Sequence, residues 1–290
     1  MNNIQVALRQ SEMLIELAKC YDCLPLVRPH TGHILHQYRQ ALLTAIMEDP
    51  PRWLKLSIAL EDTSIFTESL IHLIGRHPTW PGTTPKSSIS PAVHATIKSK
   101  AKKLADECNE LNQDLLLNTL QVGSGSNSSG NNSTSERLVD MRDFESWLVV
   151  QVFRDWLASR LTALTAKAGR LDMSGVGALY RMLARGGEAY LPYEEVLRLL
   201  RESVPGGEWE EVGEYLRLLK RYAGEVVGEV CRNNLMMGME GTEIGWLTCA
   251  VVGVGDVPWF GGDEFNKASK NNTGTMSCKR NIASMVRKLS

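Results

Sequence analysis

The chain has 290 residues, of which 43% are hydrophobic and 22% are charged, and its formal net charge is -1 at pH 7. This composition is ordinary for a soluble globular protein of one or two domains, and the small net charge excludes a general electrostatic attraction to nucleic acid or membrane. No apolar run approaches the roughly 18 residues of a membrane span. Six cysteines spread over this length are typical of a reducing intracellular compartment, either nucleus or cytoplasm.

The first predicted region, residues 1–78, has helical periodicity. Apolar residues recur at helical spacing over residues 4–22 and again over residues 34–47. Pro25 and Pro29 are expected to form a turn between these two helices.

The proline pair Pro50-Pro51 must end the helix before it. We expect the residue before each proline to leave the α region, and Pro51 to stand in the first turn of a new helix. Trp53 is predicted to be a buried anchor that fixes this new helix against the preceding one. Asp62 is a plausible N-cap for the next helix. The residues selected as structural or interaction candidates are Trp53, Pro50, Pro51, Arg52, Phe66 and Cys23.

One short stretch has the residue types of a metal site. Cys20, Cys23, His30 and His33 have the spacing C-x2-C-x6-H-x2-H. The cysteine spacing fits a zinc knuckle, but the central gap is shorter than the ~12 or more residues of compact fingers. The pair also closes a helix, whereas a redox pair would begin one. We interpret the stretch as a helical junction in which Cys23 packs as a small apolar residue, with a small zinc-binding domain as an alternative.

The remaining chain divides into four predicted parts. Residues 79–122 are a proline-rich connector followed by a long helix, and residues 123–135 (GSGSNSSGNNSTS) are a disordered linker without apolar or charged side chains. Residues 136–260 form a C-terminal helical region. Residues 261–290 are a basic disordered tail. Two helices carry the narrow apolar seam of a packed bundle, formed by Ile97, Ala101, Leu104, Cys108, Leu111 and Leu115, and by Trp209, Val212, Leu216, Leu219, Ala223, Val226 and Val230.

No catalytic constellation is visible in the sequence. There is no G-x-S-x-G elbow, and the serines are concentrated in the linker. Gly253 and Gly255 resemble the start of a phosphate-binding loop, but Pro258 stands where the helix should begin. We therefore predict a non-enzymatic protein without a cofactor or a metal.

The tail is the one strong charge feature. Six basic residues and no acidic residue lie between Phe265 and Ser290. Such a tail can contact nucleic acid, so a nuclear regulator is an alternative function. The tail lacks aromatic residues between its charges, however, which favours a solvated segment and makes nucleic acid the less expected partner.

Three strings resemble a known family. KCYDCLPLVRP, ALLTAIMEDPPRWLKLSIALEDTSIFTESLIHLIG and GWLTCAVVGVGDVPWF are similar to text in filamentous-fungal proteins that carry a BTB/POZ-type domain. The resemblance covers residues 11–76 well, residues 92–121 weakly and residues 244–260 by pattern. His30 stands where that family has a tryptophan.

The resemblance implies a domain organisation and a class of partner. Residues 4–43 would include the last helices of a BTB fold, so that residues 1–78 form a BTB-terminal, BACK-like helical region. The BTB core would precede Met1 and is missing from the chain. The implied function is protein–protein interaction, as a scaffold or as an adaptor to a cullin-type ligase or a transcriptional complex.

Together these observations predict a mainly α protein that binds other proteins. Its expected architecture is an irregular helical bundle in two parts, joined by the flexible Gly/Ser/Asn linker. Neither the identity of the partner nor the oligomeric state follows from the sequence.

Overall fold

The computed structural model describes residues 4–117, 141–165, 169, 171–207, 209–238 and 244–260. These residues form ten α-helices and no β-strand, which confirms the predicted mainly α fold. The helices are α1 (Ile4–Cys20), α2 (Leu24–His36), α3 (Gln40–Glu48), α4 (Pro50–Leu60), α5 (Thr63–Arg76), α6 (Pro91–Leu117), α7 (Met141–Thr165), α8 (Met173–Arg185), α9 (Tyr193–Ser203) and α10 (Val212–Val227).

The helices before and after residues 118–140 pack against one another. Helix α5 contacts α6 and α8, and α6 also contacts α7 and α10. The described residues as far as Val252 belong to one compact unit. The predicted linker, residues 123–135, and the predicted basic tail, residues 261–290, both lie outside the described residues. In the described ranges, no helix is long and apolar enough to cross a membrane.

The described residues from Gly253 to Phe260 belong to a second unit. A single 3₁₀ turn, Val254–Asp256, begins this unit. The backbone N–H of Gly253 donates to the Asp256 carboxylate at 2.7 Å, which closes the turn.

The N-terminal region contains one more helix than predicted. Pro25 and Pro29 were expected to form a turn, but both lie inside α2. Pro25 stands in the first turn, where its missing N–H is not needed, and Pro29 removes one intrahelical hydrogen bond. The chain breaks later, at Arg39, whose φ of +50° is left-handed. The single helix predicted over residues 34–47 is therefore wrong, because this break divides it between α2 and α3.

The proline pair starts a helix as well as ending one. Helix α3 ends at Glu48, as expected, and the Asp49 carboxylate accepts a hydrogen bond from the Arg52 N–H at 3.3 Å. Pro50 was expected to leave the α region, but it is the first residue of α4. This position is favourable because a proline in the first turn loses no hydrogen bond and has a φ suited to the helix.

Trp53 is fully buried, as the sequence analysis predicted. It belongs to a hydrophobic cluster shared by α1, α2, α3, α4 and α5. Its indole N–H has no hydrogen-bond partner within the described residues. The side chain therefore stabilises the fold through apolar contact alone. The buried members of the cluster are Ala7, Leu8, Ile15, Leu35, Leu42, Ala45, Ile46, Trp53, Leu56, Leu60 and Ile65.

Helix α5 is the central helix. Asp62 caps it by accepting from the Ile65 N–H at 3.0 Å, as predicted. All eight residues from Glu68 to Gly75 are buried, so the helix is covered on every side. A helix buried all round is expected to be apolar all round, yet this one includes Glu68 and His72.

The two predicted seams are largely confirmed. All the α6 seam residues are buried except Leu111, which is half-buried. In the second seam, Trp209 lies outside α10 and is half-buried, because the helix begins only at Val212. The other six positions of that seam are buried.

We expect Trp53→Ala to lower the free energy of unfolding by about 3–5 kcal/mol, because a cavity replaces the largest fully buried side chain. Trp53→Phe should cost less, since no indole hydrogen bond is lost. Urea denaturation measures both values. Trp147 is exposed, and Trp147→Ala is the control that should change stability by less than about 1 kcal/mol. Equal effects at the two positions would contradict this account.

Candidate protein-interaction surface

Helix α1 has an apolar face on both of its sides. The inner face, formed by Ala7, Leu8, Ser11, Ile15 and Ala18, is buried against the rest of the bundle. We call the opposite side the outer face. It consists of Val6, Gln10, Met13, Leu14 and Leu17 of α1 and of Tyr21, which follows the helix directly, and all six are exposed.

The exposure of the outer face is large for apolar side chains. Met13 is 73% exposed, Leu17 is 55% exposed and Tyr21 is 75% exposed. Single exposed apolar residues are common on protein surfaces, but a contiguous stripe marks a surface that another molecule covers. Apart from Gln10, the positions of the outer face are apolar, and they recur at helical spacing over residues 6–21 on one side of α1.

Helix α1 is held firmly from its inner side. Arg52 at the start of α4 donates to both carboxylate oxygens of Glu12, at 2.7 and 2.6 Å. The hydrogen bond from Arg52 to Glu12 raises the pKa of the Arg52 guanidinium above its usual value. A bidentate pair of this kind has a specific geometry. It adds to the burial of the inner face in orienting α1 against the bundle.

Helix α2 adds two further exposed apolar residues. Leu26 is 74% exposed and Ile34 is 52% exposed. The helix is fixed to the end of α4, because Arg28 donates to the Ala59 carbonyl at 2.9 Å and pairs with Glu61 at 2.7 Å. The N-terminal pair of helices thus exposes apolar side chains on a rigid support.

The cysteine and histidine stretch lies across the junction of α1 and α2. Cys20 is exposed at the end of α1, and half-buried Cys23 precedes α2. His30 and His33 lie exposed on α2. In the part of the chain that the structure describes, no three His, Cys, Asp or Glu side chains are grouped to hold a metal ion. The four residues of the zinc alternative are thus divided between the end of α1, the residue before α2 and the exposed side of α2.

The other selected residues are mostly packing residues. Trp53 and Phe66 are fully buried, and Pro50 and Pro51 are also buried in α4. Arg52 alone among them reaches a charged partner. These residues were predicted from their unusual types, and the outer face was not predicted from the sequence. The signal was present as a second stripe of Val, Met, Leu and Tyr on α1.

A groove of about 690 Å³ lies where α8 ends beside α10. Its charged lining residues are four cations and two anions: Arg185, Arg217, Lys220, Arg221, Glu188 and Glu225. Lys220 is buried there and donates to two carbonyl groups of the loop after α8, at 2.6 and 2.9 Å. Lys220 therefore holds the loop, and Arg217 is paired with Glu214 of its own helix.

The polar residues of α5 bind a segment from the other end of the chain. We call residues 233–238 and 244–252 the docked segment. The Glu68 carboxylate accepts from the backbone N–H groups of Met236 and Met237, at 2.8 and 3.2 Å. Burial raises the pKa of Glu68, and these two hydrogen bonds oppose the rise.

His72 binds the same segment one turn further along α5. Its Nδ1 accepts a hydrogen bond from the Trp246 indole at 3.3 Å, and the two rings meet edge to face. Burial, with a smaller effect of Arg76, lowers the pKa of His72 to about 3. The imidazole is therefore neutral at physiological pH. The Arg76 guanidinium covers the Trp246 ring at 3.6 Å, a cation–π contact.

Helix α8 holds the docked segment from another side. Arg181 donates to the carbonyls of Ile244 and Trp246, and the Ala178 N–H donates to the Gly245 carbonyl at 2.9 Å. A Cβ atom at Gly75 of α5 would collide with the Leu247 carbonyl, and one at Gly177 of α8 with that of Trp246. These glycines permit the close approach. The Glu68 carboxylate and the His72 Nδ1 atom are thus occupied by the docked segment, whereas the His72 Nε2 atom has no hydrogen-bond partner among the described residues.

Acid should destabilise the protein through His72. Because its folded pKa lies below its unfolded value of 6.5, its contribution is present above pH 6.5 and is lost as the pH falls towards 3. Between pH 7 and 5.5 wild type should lose about 1 kcal/mol more than His72→Gln. Glu68, whose pKa is raised, stabilises the folded state as the pH falls, and it does so equally in wild type and in His72→Gln. Urea denaturation at the two pH values measures the difference, and His30→Gln, at an exposed site, should behave as wild type.

Removing the Glu68 carboxylate should release the docked segment. Glu68→Ala leaves the buried N–H of Met237 and the part-buried N–H of Met236 without an acceptor, and we expect the free energy of unfolding to fall by about 1–3 kcal/mol. Hydrogen exchange should quicken first at Met236 and Met237. Glu194→Ala, at an exposed site on α9, is the matched control. Unchanged exchange at residues 236 and 237 would refute the assigned role.

Comparison with known proteins does not extend these observations. No protein-family model matches the chain, and neither the curated proteins nor the solved structures include a significant match. The resemblance to BTB/POZ-type proteins remains an expectation from the sequence, and the geometry of α1 is the basis for a functional proposal.

Proposed function

We propose that this protein is a non-enzymatic protein-interaction module whose outer face on α1 is a binding interface. The observation that carries the proposal is the stripe of exposed apolar side chains from Val6 to Tyr21 on a helix fixed by the Arg52–Glu12 pair. Such a face resembles the helix surfaces through which proteins bind one another.

The chemistry of the face favours a protein over a small molecule. It is a convex helix side, whereas small-molecule sites are concave and enclose most of their ligand. Methionine, tyrosine and leucine supply apolar area, and Met is a common residue of adaptable binding surfaces. The flanking charges Arg9 and Glu16 are exposed and provide a polar rim.

The proposal includes a compartment and a class of partner. The cysteines of the described residues are all free thiols, which is typical of nucleus and cytoplasm. The BTB-like strings suggest a scaffold or adaptor role, with a cullin-type ligase or a transcriptional complex as the partner.

Affinity capture from cells tests this function. We expect tagged wild-type protein to capture partners that Leu17→Lys does not, because a charge at the centre of an apolar interface is costly to bury. Leu17→Lys should unfold at the wild-type temperature, since the side chain is exposed and contributes little to the core.

The matched control is Leu199→Lys. Leu199 is also an exposed leucine on a helix, but it lies on α9. This variant should capture the same proteins as wild type. An identical set of captured proteins for all three chains, or a catalytic activity that Leu17→Lys leaves intact, would contradict the proposal.

A further inference from the structure

We infer that the outer face of α1 docks on the same face of a second copy of this chain, with the two helices running in opposite directions. This inference rests on the proposed function and names the partner of the same interface. It is carried by the arrangement of side chains along α1.

The positions of the outer face have the same spacing from either end, although the residue types differ. Its midpoint lies between Met13 and Leu14. On either side of that point, Gln10 is matched by Leu17 and Val6 by Tyr21, at equal distances along the chain. A two-fold axis through the midpoint would place each of these residues beside its counterpart on the second copy. A dimer interface of this kind requires one self-complementary patch.

The charges beside the stripe are complementary under the same axis. Arg9 and Glu16 lie on one flank of the outer face, on either side of the midpoint. In an antiparallel pair, this flank meets the same flank of the second copy, and Arg9 of each copy comes within about half a helical turn of Glu16 of the other. In a parallel pair, this flank would meet the opposite flank, so that Arg9 and Glu16 do not come together. The Glu16 carboxylate at present pairs with Lys19 of its own helix at 2.9 Å, in an exposed position that a second cation can share.

The size of the outer face limits the expected affinity of the dimer. Helix α1 has 17 residues and is about 25 Å long. Two such helices bury less than the roughly 1,600 Å² of a standard interface. We expect a dimer that dissociates in the micromolar range and is detected by sedimentation at increasing protein concentration. Leu17→Lys should weaken it tenfold or more, and Leu199→Lys should leave it unchanged.

Cysteine cross-linking tests the orientation of the helices. In the full chain with Cys20→Ser and Cys278→Ser, Met13→Cys should form a disulfide-linked dimer under mild oxidation, because this residue lies beside the axis. Val6→Cys alone should not cross-link. A mixture of Val6→Cys and Tyr21→Cys chains should form the mixed dimer. Self-linking of Val6→Cys would show parallel pairing and overturn the inference.

Charge exchange provides a second test. Arg9→Glu should weaken the dimer several-fold, because it places two carboxylates opposite each other. Adding Glu16→Arg should restore much of the affinity. If the double variant is weaker than both single variants, the two residues do not pair and the inference fails.

The tests separate this inference from the proposed function. A chain that remains monomeric at all concentrations, yet loses captured proteins on Leu17→Lys, refutes the second copy alone. A monomeric chain whose captured proteins are unchanged refutes both. A dimer that forms only when residues 261–290 are removed would show that the tail covers the face, and would also overturn the inference.

Discussion

The burial of α5 is the constraint on which the rest of the unit depends. This helix carries Glu68 and His72 into the core, where an unpaired polar group costs several kcal/mol. The docked segment supplies two N–H groups to Glu68 and the Trp246 indole to the Nδ1 atom of His72. Two segments more than 160 residues apart in the chain are thereby joined through a few hydrogen bonds. Glycines in α5 and α8 leave space for the backbone of the docked segment.

In the N-terminal helices, the residues that stabilise the fold differ from those proposed to bind another protein. Trp53 and Phe66 are fully buried and cannot contact another protein, although the sequence around them is unusual. Arg52 connects the two roles, because its pair with Glu12 fixes α1 from within. No residue of the outer face is buried in the core. Substitutions there should change association without lowering the free energy of unfolding.

The proposed dimer and the proposed module agree in their physical requirements. Both need a helix that is rigid, apolar on its solvent side and bordered by charges. The near-symmetric spacing about Met13 and Leu14 is what favours a second copy over an unrelated helix. Association through such a small area would be reversible, so the protein would exchange between free and paired forms as its concentration changes.

The sequence by itself determined the helical class, the Asp62 cap, the end of α3 and the burial of Trp53, because these follow from local periodicity and from the backbone limits of proline. It misplaced the break between α2 and α3, since the left-handed Arg39 carries no local signal. Only the tertiary structure decided which stripe of α1 is exposed, because both of its sides are apolar. It also decided the roles of Glu68, His72 and the docked segment, whose partners are distant in the chain and cannot be read from spacing.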